Sequence, residues 1–153
     1  METAPLSTAA LPAQEVTFIR YLYASPEQVF DEWTLPERLR EWWGPEGADV
    51  VGCELDVRPG GVFQLAVRGP DGVVRSAGGT YLEVETPGRL RYSEVLGDAP
   101  GQPFVTTVTF EPMGAMTRMT VVQTAATAEP LATLQLTGWL EALTKLSERL
   151  LPH

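Results

Sequence analysis

The spacing of apolar and polar residues changes period three times along the chain, and each change marks a new kind of element. Over Glu15–Tyr23 (EVTFIRYLY), apolar Val16, Phe18 and Tyr23 are interleaved with polar neighbours in a segment rich in β-formers, which predicts a first strand. At Ser25-Pro26-Glu27-Gln28 the pattern becomes helical. Ser25 supplies an N-cap, Pro26 takes the first helical position and Gln28 completes a capping box. Val29, Phe30 and Trp33 then share one side of that helix. Thr34-Leu35-Pro36-Glu37 repeats the capping pattern and predicts a second short helix, which presents Leu39, Trp42 and Trp43 before Gly44-Pro45 stops it. Trp42 and Trp43 are adjacent, hence about 100° apart on a helix, so one should pack inward while the other lies at a rim.

From Ala48 to about Gln123 the period shortens to that of a pleated strand. Strands are expected over 48–57, 61–69, 73–85, 89–96, 104–111 and 116–124. Their separators are turn sequences: Arg58-Pro59-Gly60-Gly61, Gly69-Pro70-Asp71-Gly72, Thr86-Pro87-Gly88, the 97–101 stretch and Pro112-Met113-Gly114. Connections this short imply antiparallel hairpins. Pro130 then opens a helix that runs to Leu151, about 30 Å long. Ala132, Leu136, Trp139, Leu143, Leu146 and Leu150 form its apolar stripe, and Glu141 and Lys145 are spaced to pair on the other side. A long amphipathic helix after six strands covers one face of a sheet. The expected fold is α+β, a curved antiparallel sheet wrapped around a C-terminal helix, with two short helices after the first strand. Residues 1–13 are expected to form a flexible arm and 14–153 a single domain.

Alternation within the strands picks out the inward face. Phe63, Leu65 and Val67 share one side, as do Gly79, Tyr81 and Glu83, and as do Leu90, Tyr92 and Glu94. If the tyrosines point inward, Glu83 and Glu94 follow them unless a bulge intervenes. A carboxyl among apolar side chains needs a partner, such as Arg58 or Arg91, or a raised pKa. These two glutamates are the candidate acid/base groups or polar anchors. Cys53, mid-strand, reads as a small buried hydrophobe.

Composition narrows the chemistry. The chain has 153 residues, with 11 Lys and Arg against 20 Asp and Glu, a net charge of −9. That balance argues against nucleic acid and against anionic membrane surfaces. One Cys and one His, the terminal His153, leave no framework disulfide, no thiolate or imidazole zinc site and no His-based triad. No metal and no cofactor is expected. The opening METAPLSTAALPAQ lacks a positively charged leader and no apolar run spans a membrane, so a cytoplasmic location is expected.

The motifs together resemble a known family. Ser25-Pro26-Glu27-Gln28-Val29-Phe30, Trp33-Thr34 and Leu39-x-x-Trp42-Trp43-Gly44-Pro45 resemble the opening of the family related to the activator of the heat-shock-protein-90 ATPase. Asp56-x-Arg58-Pro59-Gly60-Gly61, Gly79-x-Tyr81-x-Glu83, Arg89-Leu90-x-Tyr92-Ser93-Glu94 and Gly138-Trp139-x-x-x-Leu143-x-x-Leu146 are similar to its later motifs. The resemblance runs over residues 14–151. It implies the START-like (SRPBCC) superfamily, a helix-grip fold with a deep cavity between sheet and terminal helix. It fixes no activity, since fold alone does not.

On this footing the cavity is expected to be lined by Trp33, Trp42, Phe63, Leu65, Tyr81, Tyr92, Glu94, Leu136, Trp139 and Leu143. The expected function is binding of a small hydrophobic or amphipathic molecule. The alternatives are a cyclase- or hydrolase-like enzyme using Glu83 or Glu94, and a protein-interaction module. A chaperone partner is not expected, and the chain is expected to be a monomer or homodimer.

Overall fold

The computed structural model describes residues 13–96, 104–126 and 131–152. The side chains of Ala13, Leu96, Ala126 and 131–138 lie outside that description. The sequence-expected arm, the 97–101 turn and the Pro130 helix start therefore fall outside the described residues, except that Ala13 already belongs to a strand.

The β-rich segments form β1 (Ala13–Leu22), β2 (Asp49–Leu55), β3 (Val62–Arg68), β4 (Val74–Glu85), β5 (Arg89–Leu96), β6 (Phe104–Met113) and β7 (Met116–Ala126). The helices are α1 (Pro26–Thr34), α2 (Pro36–Leu39) and α3 (Leu131–Arg149). The strands make one antiparallel sheet in the order β1-β7-β6-β5-β4-β3-β2. Consecutive strands from β2 to β7 are neighbours, as short hairpin connections require, and β1 closes the sheet beside β7. This is the helix-grip α+β fold, a curved sheet with its helices on the concave side.

Two irregularities bend the sheet. Register slips between Val50 and Gly52 on β2, and between Tyr81 and Glu83 on β4. Each bulge kinks its strand and steepens the twist. At Gly79 the neighbouring strand comes so close that a Cβ there would lie 1.7 Å from the Ser93 carbonyl oxygen. Only glycine permits that approach.

The α1 start forms as its sequence dictates. The Gln28 amide donates to Ser25 Oγ at 3.2 Å, and the Ser25 amide donates to Gln28 Oε1 at 2.9 Å. The second capping pattern does not operate. Thr34 is still helical, and its hydroxyl donates back to the Phe30 carbonyl at 2.8 Å. Leu35 occupies the N-cap of α2 without a side-chain bond, and α2 is a single turn of helix that continues as turns through Trp43. Pro36 at the first position presets that turn.

The concave face and the helices enclose the core: Phe18, Leu22, Val29, Val108, Leu143 and Leu146 are among its buried members. α3 is fastened at its C-terminal half. Glu141 and Lys145 each bond to the 45–46 turn: the Glu46 amide donates to Glu141 Oε1 at 2.8 Å, and Lys145 Nζ donates to the Pro45 carbonyl at 3.2 Å. Glu32 of α1, 1% exposed, takes Arg149 of α3 at 3.0 Å and Arg38 of α2 at 3.3 Å. One buried carboxylate thus ties the three helices together. Among the described residues, no helix is long and apolar enough to cross a membrane.

Candidate functional site

A small apolar pocket lies between the α1–α2 segment and the β2–β5 half of the sheet. Its floor is built by alternation: Phe63 and Leu65 from β3, Tyr81 from β4, Leu90 and Tyr92 from β5, with Leu55 of β2 at the margin. Its roof is Trp33 of α1, with Leu39 and Trp43 from α2 and the turn after it. The cavity measures about 20 Å³, roughly the space that one water molecule needs.

Aromatic rings set its shape. Phe63 meets Tyr92 edge-on at 5.3 Å and Tyr81 at the same separation. Above them, Trp33 is the hub of an indole cluster, 4.9 Å from Trp42, 5.9 Å from Trp139 and 6.2 Å from Trp43. Its Nε1 donates to Met119 Sδ at 3.3 Å. Edge-on and stacked arrangements of this kind are the favoured geometries for aromatic pairs.

Of the residues expected to line a cavity, the pocket brings together Trp33, Phe63, Leu65, Tyr81 and Tyr92. Trp42 does not line the pocket: it is fully buried behind Trp33, and its Nε1 donates to the Glu32 carbonyl at 3.2 Å. Trp43, half-buried, takes the rim position instead. The pair divides inward and rim as adjacency demands, with the pocket on the rim partner. Trp139 and Leu143 are buried in the packing of α3 against α1 and the sheet, Trp139 stacking on Phe18 at 6.3 Å as well as on Trp33. Among the described residues, no α3 side chain lines the pocket, and the roof is formed by α1 and α2 with the turn after it. The side chain of Leu136 lies outside the described residues.

The two candidate glutamates part company. The slip after Tyr81 places Glu83 opposite Arg91 instead of continuing the inward alternation. Glu83 is therefore turned away from the pocket and pairs with Arg89 at 2.9 Å and Arg91 at 3.6 Å. Arg58 serves Asp56 instead, at 2.9 Å. Glu94 keeps the alternation and is buried, 3% exposed, opposite the side-chain-free Gly79, but contrary to expectation it is not among the residues that line the pocket. Burial pushes its carboxyl up to about 7.

Beside the pocket runs a polar row that the candidate residues did not include. Tyr92, Thr106 and Gln123 are directly opposite one another across β5, β6 and β7, and all three are buried. Gln123 Nε2 donates to Thr106 Oγ1 at 3.1 Å. The Tyr92 hydroxyl lies near the Thr106 hydroxyl without the geometry of a hydrogen bond, and Gln123 Oε1 has no hydrogen-bond partner. Thr106 and Gln123 could have been found from the same alternation, as polar residues at inward positions two residues from Val108 and Val121. Tyr92 is held well above the ordinary tyrosine value, chiefly by burial and then by the nearby Glu94, against a smaller opposing pull from the Thr106 hydroxyl. Tyr81 is raised as well, again by burial first. Both phenols are therefore protonated donors at neutral pH. Cys53, half-buried on β2, has its thiol raised by burial, which disfavours the thiolate a nucleophile needs. Among the described residues, no group of three or more His, Cys, Asp or Glu is placed to hold a metal.

The arrangement can hold an apolar body against aromatic walls and offer hydrogen bonds at one side. A carboxyl titrating near neutrality also has the range of a general acid or base.

Known proteins resemble both the sequence and the fold. The family described as Activator of Hsp90 ATPase homolog 1-like protein matches residues 23–150. No curated protein matches the chain. A solved Chromobacterium violaceum protein is 28% identical, covering 92% of this chain and 99% of its own, with a TM-score of 0.79. A Rhodobacter sphaeroides protein is 27% identical over 92% of this chain and 95% of its own, also at 0.79. The AHSA1 protein of Silicibacter pomeroyi, at 22% identity, shares the fold with a TM-score of 0.76 over 89% of this chain and 96% of its own.

Proposed function

The chain belongs to the Activator of Hsp90 ATPase homolog 1-like family, and from that premise we propose that it is a binding protein for a small hydrophobic or amphipathic molecule. The observation that carries this reading is the apolar pocket walled by Trp33, Trp43, Phe63, Tyr81 and Tyr92. Aromatic walls of this kind beside a few polar groups are the usual make-up of a small-molecule site. A guest of ordinary size needs about 300 Å³ or more, so it must part the walls. The roof is the part suited to yield: α2 is a single helical turn, and Trp43 at the rim is only half-buried. The floor is held by the sheet.

Titration with N-phenyl-1-naphthylamine, a neutral fluorescent probe, tests the proposal. Tryptophan emission should fall and probe emission rise, saturating at one probe per chain. Leu90→Phe, which fills the pocket from the floor, should weaken binding about tenfold or more. A response that never saturates, or one that Leu90→Phe leaves untouched, sinks the reading.

Glu94 favours a second reading, a cyclase- or hydrolase-like enzyme with this carboxyl as its proton shuttle. Glu94→Gln would then abolish turnover of the bound substrate while sparing probe binding. Unchanged turnover would remove Glu94 from the chemistry.

A further inference from the structure

The pocket accounts for an apolar body but not for the polar row beside it. Tyr92 belongs to both, since its ring lines the pocket and its hydroxyl lies in the row. The row converges on Thr106. Gln123 gives its amide nitrogen to the Thr106 hydroxyl at 3.1 Å, which fixes the amide and leaves Oε1 over. Gln123 is 0% exposed and Tyr92 3% exposed, so water at the surface satisfies neither. A buried polar atom without a partner is destabilising. Native interiors leave few of them, and two in one row call for something that completes them.

The chemistry of the missing partner follows from the atoms. Gln123 Oε1 only accepts, so it needs a donor. The Tyr92 hydroxyl is protonated and can donate, so it suits an acceptor. A hydroxyl group does both at once. Charge adds an exclusion. Glu94 lies two residues from Tyr92 on the same inward face, and among the described residues no Lys or Arg is buried. Arg38 and Arg149 are committed to Glu32, and Arg40 donates to the Val50 carbonyl at 3.1 Å. A carboxylate entering here would meet another carboxyl with no counter-charge, in surroundings that penalise ions.

We propose that the molecule bound in the pocket carries an alcohol or phenol hydroxyl, which accepts from Tyr92 and donates to Gln123 Oε1, and that carboxylates of the same shape are refused. This rests on the binding function proposed above and specifies the polar end of the ligand. The site selects hydroxylated aromatic or alicyclic molecules, not fatty or aromatic acids.

Three naphthalenes of one shape separate the possibilities on the unmodified protein: 2-naphthol, 2-methoxynaphthalene and 2-naphthoate. Each is measured by displacement of N-phenyl-1-naphthylamine and by calorimetry at about pH 8, above the range of carboxylic acids. 2-Naphthol should bind about tenfold more tightly than the methyl ether, which cannot donate to Gln123. 2-Naphthoate should bind more weakly than either. Gln123→Leu should remove the advantage of 2-naphthol while keeping the affinity for 2-methoxynaphthalene, and Tyr92→Phe, which removes the donor to the oxygen of both, should weaken both ligands. Equal affinities, a preference for 2-naphthoate, or failure of all three to displace a probe that does bind would each overturn the hydroxyl anchor and leave the binding function standing. If the probe itself does not bind, both fall. The wild-type comparison decides the matter even if a variant does not fold.

Discussion

Glu94 titrates near 7 in the fold against an ordinary 4.5, because burial disfavours its charged form. The folded chain therefore holds this proton more tightly than the unfolded chain does. Below 4.5 both states carry it and nothing is lost. Between 4.5 and 7 the unfolded chain ionises first, and stability drains away as pH rises. Above 7 the full penalty applies. At about 1.4 kcal/mol per pH unit, the gap amounts to about 3 kcal/mol. Glu94→Gln keeps the shape and removes the ionisation. The variant should thus be about 3 kcal/mol more stable than wild type at about pH 8, about half that near pH 6, and little different at about pH 4. Urea unfolding of both proteins, followed by tryptophan emission across this range, gives the difference directly. Every other titrating group contributes to both proteins and cancels. A difference that does not change with pH, or a variant less stable than wild type at pH 8, would refute the burial argument for Glu94.

The Glu32 staple predicts an asymmetry. Arg149→Ala strands a buried carboxylate with Arg38 alone and should lose about 3 kcal/mol, whereas Glu32→Gln frees two partly exposed arginines to rehydrate and should lose about 1 kcal/mol, both by chemical unfolding. Tyr92→Phe deletes an unpaired buried hydroxyl and should stabilise the ligand-free protein by about 1 kcal/mol; a loss of stability would mean the hydroxyl is satisfied in solution. Gly79→Ala drives a Cβ into the Ser93 carbonyl and should lose more than about 3 kcal/mol, while Gly114→Ala, with open space and only a φ of 66° to oppose it, should lose about 1 kcal/mol in thermal unfolding. Cys53 should react with a thiol reagent more slowly than free cysteine at neutral pH, because burial raises its thiol.

Where neighbouring residues decide an element, the sequence reads correctly. The Ser25–Gln28 box, the hairpin turns and the inward run of Phe63, Leu65, Tyr92 and Glu94 follow from local spacing. The errors arise where a distant contact or a small backbone irregularity decides. Thr34 has the capping pattern, but its hydroxyl is taken by Phe30 one turn back. Glu83 obeys alternation until one slipped residue reverses its face, and nothing local in Leu82 announces that slip. Trp42 and Trp43 are told apart only by the Glu32 carbonyl that holds one indole inward. Glu32 itself depends on Arg149, far along the chain, so no spacing rule finds it. Thr106 and Gln123 were within reach of alternation. Their significance needed the register that sets them beside Tyr92.

The claim that a small molecule occupies the Trp33–Trp43 pocket is tested most directly by the indole N–H resonances of the four tryptophans during titration with N-phenyl-1-naphthylamine. Trp33 and Trp43 line the pocket, whereas Trp42 is locked behind them with its Nε1 on the Glu32 carbonyl. The Trp43 and Trp33 signals should move progressively and saturate at one probe per chain, and Trp42 should move least. Saturable binding that leaves Trp33 and Trp43 unmoved would place the ligand elsewhere and contradict the assignment of the site.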